Sequence, residues 1–67
     1  MKRQILKLYN FGEWTIIKDD SVEKDPYRIY FKHNENGKTT KKQMYRCARL
    51  AECLWYLYNT ISKQEWN

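Results

Sequence analysis

The sequence predicts an α+β fold, a three-stranded antiparallel β-sheet packed on one carboxy-terminal α-helix in the order β-β-β-α. Three observations carry this expectation. Residues 27–32 alternate apolar and basic side chains, Asn36-Gly37 separates two such runs, and from about Arg46 the apolar period changes from two to between three and four.

Taken in order, residues 4–10 are ambiguous between a strand, turned back through Phe11-Gly12, and a loose amino-terminal arm. Residues 13–18, Glu-Trp-Thr-Ile-Ile-Lys, are rich in aromatic and β-branched side chains and stop at Asp19-Asp20, as a strand entering a polar loop does. Asp25-Pro26 closes that loop. In residues 27–32, Ile29 and Phe31 share one face while Arg28, Tyr30 and Lys32 share the other. Asn36-Gly37 supplies the two positive-φ positions of a two-residue hairpin turn. That turn sets Glu35 against Lys38, His33 against Thr40 and Ile29 against Met44. It brings Lys41 and Gln43 onto the face of Arg28, Tyr30 and Lys32, and leaves Lys42 at the rim of the core side. A three-residue loop would exchange the faces, but the two-residue turn alone buries Met44 without burying Lys41.

The helix is expected over residues 46–62, its apolar stripe made of Cys47, Leu50, Ala51, Leu54, Leu57, Tyr58 and Ile61, with Arg49, Glu52, Cys53, Tyr56, Asn59 and Thr60 opposite and Trp55 between. Thr40-Lys-Lys-Gln43 also matches a capping box, which would start the helix as early as Lys41. The resulting organisation is one domain: residues 1–12 an arm or extra strand, 13–45 the sheet, 46–62 the helix and 63–67 a tail. Its core is Trp14, Ile16, Ile29, Phe31 and Met44 against Leu50, Leu54, Leu57 and Ile61, so Leu54→Asp is expected to unfold it.

A chain of 67 residues buries only about 60% of its unfolded surface, and the three Trp, six Tyr and two Phe suit so small a core. No apolar run approaches the roughly 18 residues of a membrane span. Lys7 interrupts any signal-peptide core after Met1-Lys2-Arg3, so a cytoplasmic protein is expected, with no membrane partner. On one helix, Cys47 and Cys53 would lie about 9 Å apart along the axis, which makes them reduced thiols.

No catalytic constellation is present: there is one His, no Gly-rich phosphate loop, and no nucleophile beside an activating base. No cofactor is implied. Cys47, Cys53 and His33 are one ligand short of a structural zinc site, and the loop Asp19, Asp20, Glu23, Asp25 lacks the spacing of a calcium site, so no metal is expected. Charge is the informative property. Net charge is +5, and between Arg28 and Arg49 seven basic residues face Glu35 alone, a net of +6. Arg28, Tyr30, Lys32, Lys38, Lys41 and Gln43 on adjacent strands, with Arg46 and Arg49 at the helix start, form a candidate nucleic-acid surface. Basic groups neutralise phosphates, while Tyr30 and Gln43 reach sugars or bases.

Three strands, an Asn-Gly turn between the second and third, and a closing helix resemble the amino-terminal arm-binding domain of tyrosine-type phage integrases and the related plant AP2 domain, over residues 14–61 and through the hairpin PYRIYFK...NGK. The resemblance implies insertion of the open sheet face into the DNA major groove. The AP2 pattern of tryptophans and arginines on the strands is absent here. In its compact, aromatic, Lys-rich make-up the chain is also similar to small accessory proteins of phages and prophages of low-GC Gram-positive bacteria, some of which inhibit host nucleoprotein machines, anti-CRISPR proteins among them. Two expectations follow. One is DNA or RNA binding through the sheet face. The other is inhibition of a host protein or nucleoprotein complex through Arg49, Trp55 and Tyr56, residue types enriched in binding hot spots.

Overall fold

The computed structural model describes the backbone of residues 1–66 and the side chains of residues 1–63. It is α+β, an antiparallel sheet with one carboxy-terminal helix, but the sheet has four strands. These are β1 (Lys2–Tyr9), β2 (Glu13–Asp19), β3 (Tyr27–Glu35) and β4 (Lys38–Cys47), in spatial order β1-β2-β3-β4, followed by α1 (Leu50–Trp66). Residues 2–9, ambiguous in sequence, are therefore a strand. Leu6 and Leu8 pair with Ile16 and Trp14, while Ile5 is the extra residue of a β-bulge between Gln4 and Leu6. That bulge puts Ile5 beside Leu6 in the sequence and so masks the alternation that identifies a half-buried strand.

The turn into β2 depends on local backbone chemistry. Phe11 and Gly12 both have positive φ, at 59° and 156°, and Asn10 N–H donates to the Gly12 carbonyl at 2.8 Å. A Cβ on Gly12 would fall 2.5 Å from two atoms of the Phe31 ring, so only glycine lets the turn close against β3. The buried Trp14 indole N–H is satisfied by the Asn10 carbonyl at 3.0 Å, and its ring meets Phe31 with centroids 4.4 Å apart.

At the other hairpin, Asn36 and Gly37 have φ of 53° and 81°, as the two-residue turn requires. Glu35 faces Lys38, His33 faces Thr40 and Lys32 faces Lys41, all as the sequence predicts. The register then shifts: Tyr30 faces Gln43, but Ile29 faces Tyr45 rather than Met44. Met44 is the bulge residue, and both it and Tyr45 pack against the core. Because β4 stays extended to Cys47, the capping box at Thr40 starts no helix, and α1 begins four residues later than expected. It continues through Trp66, where a tail was expected; Asn67 lies outside the described residues.

The core is Trp14, Ile16, Ile29, Cys47, Cys53 and Leu57. Here the helical phase differs from the expected one. Cys53 and Leu57 face the sheet, and Tyr56 stacks flat on Tyr45 with centroids 4.4 Å apart. Ala51, Leu54 and Tyr58, expected inside, are exposed, Leu54 to 44% and Tyr58 to 73%. The reason is covalent as well as steric. Cys47 ends a strand rather than beginning a helix, its Cα lies 6.3 Å from that of Cys53, and the two form a disulfide, not the expected thiols. The bond pins Cys53 to the sheet, and the rest of the helix turns with it.

Candidate functional site

The face of the sheet opposite α1 is built by alternation. Tyr30 and Lys32 of β3 pair with Gln43 and Lys41 of β4 on one side, and with Thr15 and Glu13 of β2 on the other; Gln4 and Lys7 of β1 extend the row beyond Ile17 and Thr15. A hollow of about 260 Å³ opens on this face, lined by Gln4, Glu13, Thr15, Ile17, Tyr30, Lys32 and Lys41. The Lys41 ammonium lies 4.8 Å from the centroid of the Tyr30 ring, a cation-π contact.

The predicted residues separate into those the fold brings together and those it does not. Tyr30, Lys32, Lys41 and Gln43 form one patch, and Arg46 lies on the same face opposite Arg28. Lys38 sits at the hairpin tip opposite Glu35 and by alternation falls on the helix side, outside the patch. Arg49 is exposed in the bend between β4 and α1. Of the three residues expected for protein binding, Arg49 and Trp55 are exposed, whereas Tyr56 is turned to the sheet by its stack on Tyr45. Gln4, Thr15 and Lys7 were not anticipated. The alternation of Leu6-Lys7-Leu8-Tyr9 was the available signal for the strand that aligns them.

Electrostatics sharpen the patch. Arg28 Nη1 lies 3.9 Å from the buried Asp19 carboxylate, its side chain is only 19% exposed, and its Nε is buried without a partner. Arg28 is thus a structural cation. Lys7 is paired with Glu13 at 3.5 Å. Lys32, Lys41 and Arg46 have no ion-pair partner among the described residues, and Lys32 stands directly across the strand pair from Lys41. Like charges placed directly opposite each other destabilise a sheet, so this pair adds no stability of its own. The expected acidic loop is elsewhere, at the end of β2, where Asp20 holds Arg3 at 3.2 Å and Lys18 at 3.6 Å.

Asp19 anchors that end. The Ser21 hydroxyl donates to Asp19 Oδ1 at 2.5 Å and the Ser21 N–H at 3.1 Å; these bonds hold the Asp19 carboxyl below the usual carboxylate range, with Arg28 and Lys2 reinforcing them and burial opposing. A folded-state pKa below the unfolded value, about 3.9, means that this stabilisation is present above the unfolded value and lost as pH falls through the folded one. Asp19→Asn should therefore lower the urea midpoint at pH 7, and the gap to the parent should narrow as pH falls below about 4. A gap independent of pH would contradict the assigned ionisation.

Among the described residues, no three of His, Cys, Asp and Glu converge in a way that holds a metal ion. His33 lies at the edge of the sheet, stacked on Phe31 with centroids 5.1 Å apart and 3.4 Å from Glu35. No described helix is long and apolar enough to cross a membrane. No family model, curated protein or solved structure matches the chain.

Proposed function

We propose that this is a small, non-enzymatic nucleic-acid-binding module of phage or mobile-element type, engaging DNA or RNA through the open sheet face. The observation that carries it is the unneutralised Lys32–Lys41 pair, set directly opposite on β3 and β4 with Arg46 on the same face. Cations whose pairing costs sheet stability are explained by an anion that arrives from outside. Lys32, Lys41 and Arg46 contact phosphates, and Tyr30 and Gln43 touch sugar or base.

Replacing Lys32 and Lys41 with Ala should weaken binding to all sequences and flatten the plot of log affinity against log salt by roughly two units. Thermal unfolding should change little, since loss of the like-charge pair offsets loss of the Lys41–Tyr30 cation-π contact. An unchanged salt slope overturns the assignment.

A second reading rests on a different observation. Leu54, Trp55 and Tyr58 expose a contiguous apolar strip on α1, with Trp55 68% exposed, and a groove of about 450 Å³ runs beside it between Leu54, Tyr58, Ile61 and the β1 residues Leu6 and Leu8. Apolar and aromatic groups so displayed suit a protein partner, as in an inhibitor of a host nucleoprotein machine of the anti-CRISPR kind. The contact residues would then be Arg49 and Trp55 with Leu54 and Tyr58, not Tyr56.

Either function operates in the bacterial cytoplasm, a reducing compartment where disulfides are rare. Cys47 is 3% exposed and Cys53 0%, burial that would slow attack on the bond by cellular thiols. Alkylation of acid-quenched cells tests whether the bond persists there: no blocked thiol is expected, and two blocked thiols would show that the cell reduces it.

A further inference from the structure

Building on the nucleic-acid reading, we propose that the ligand is single-stranded, and that the hollow beside Tyr30 receives one unpaired base while Lys32 and Lys41 hold the flanking phosphates. The number of strands is the first ground. Neighbouring strands lie about 4.8 Å apart, so the outer strands of this four-stranded sheet are separated by about 14 Å before side chains are added. The major groove of B-DNA is about 12 Å wide and admits a helix or a two-stranded ribbon. The fourth strand, β1, thus removes the fit that a narrower sheet would have.

The two-stranded part of the molecule offers no way round this. Beyond the last β2 pair, Glu13 with Lys32, the β3–β4 hairpin runs on from His33 to Thr40 with no third strand paired to it, beside the turn residues Tyr9 and Phe11. That ribbon is narrow enough for a groove, but its two formal charges, Glu35 and Lys38, face each other and cancel. The free cations lie behind it, on the wide part of the sheet.

The second ground is the hollow itself. Ligand pockets for drug-sized molecules run from about 300 Å³ upward, and at about 260 Å³ this one has room for a single ring system. Its walls combine Tyr30 with the polar residues Gln4 and Thr15 and the apolar Ile17. A ring serves as a stacking platform for any base, and Lys41, 4.8 Å from that ring, sets a phosphate contact within one nucleotide of it. A paired base in a duplex is stacked on both sides and cannot enter; an unpaired base can. Glu13 also borders the hollow, but its carboxylate is held by Lys7.

The test compares three probes of one mixed sequence at about 50 mM salt by fluorescence anisotropy: a 12-nucleotide DNA strand, the same strand as RNA, and the 12-base-pair DNA duplex. At least one single strand should bind about tenfold tighter than the duplex. Tyr30→Ala should erase most of that difference, weakening single-strand binding about tenfold with the salt slope unchanged, while Tyr30→Phe retains it. The DNA and RNA arms distinguish the two sources of strand. If Tyr30→Ala fails to fold, the parent protein still decides: a strand carrying 5-iodouracil should crosslink on irradiation to the tryptic peptide from Ile29 to Lys32. Equal or tighter duplex binding, or crosslinks only elsewhere, overturns the single-strand assignment and leaves phosphate binding by the sheet face standing. Binding of no probe overturns both.

Discussion

Leu57→Asp should leave the chain unfolded at room temperature, while Leu54→Asp, one turn position away, should fold and lose only about 1 kcal/mol. Leu57 is 4% exposed and lies in the core with Ile16, Ile29 and Cys53. Removing a buried leucine side chain costs about 2–5 kcal/mol, and a carboxylate there has no partner to offset its desolvation. A domain of this length has roughly 3–10 kcal/mol in total, so the substitution exceeds or exhausts it. Leu54 is 44% exposed at the border of the groove, and a carboxylate there reaches water. Circular dichroism and thermal melts of the two variants separate the phases of the helix. If Leu54→Asp is the variant that unfolds, α1 packs by the stripe expected from sequence rather than by the face described above.

Cys53→Ser, or reduction of the parent in mild denaturant, should cost about 2 kcal/mol and lower the melting temperature by about 10 °C. The closed segment is short, six residues of sequence separation, so the loop-entropy contribution is at the low end for disulfides. Even so, it is a large part of the stability of so small a domain. The native oxidised chain should take up no thiol reagent and should take up two equivalents after reduction in denaturant. Two equivalents taken up by the native chain without reductant would mean that the bond is absent in solution. Reduction should also loosen the start of α1 first, because the bond joins the end of β4 to the first turn of the helix.

The β3–β4 hairpin was legible because each of its signals is local. Alternation in residues 27–32 and the positive-φ pair Asn36-Gly37 act within a few residues, and the pairings from Glu35–Lys38 to Tyr30–Gln43 follow from them. Met44 marks where this ends. A bulge depends on how two strands twist against a helix, and nothing near Met44 in the sequence announces it. The patch of Tyr30, Lys32, Lys41 and Gln43 was legible for the same reason as the hairpin. The part that β1 adds was not, because Ile5 interrupts the pattern of the strand that supplies Gln4 and Lys7.

By itself the sequence determined the class, an antiparallel sheet with a carboxy-terminal helix, together with the basic character of one sheet face. Periodicity, turn chemistry and the placement of lysines are properties of neighbouring residues, and they survive in any packing. Only the tertiary structure decided which way the helix faces, whether the cysteines meet, and which cations are free. The apolar residues of α1 cover more than one face, so periodicity permits several rotations, and the cross-link from Cys47 selects the one that buries Cys53 and Leu57. Arg28 and Lys32 look alike in the strand, yet Asp19, nine residues back and on the neighbouring strand, neutralises the first, while the second has no ion-pair partner among the described residues. Such differences are set by contacts between distant segments, which come into being when the chain folds.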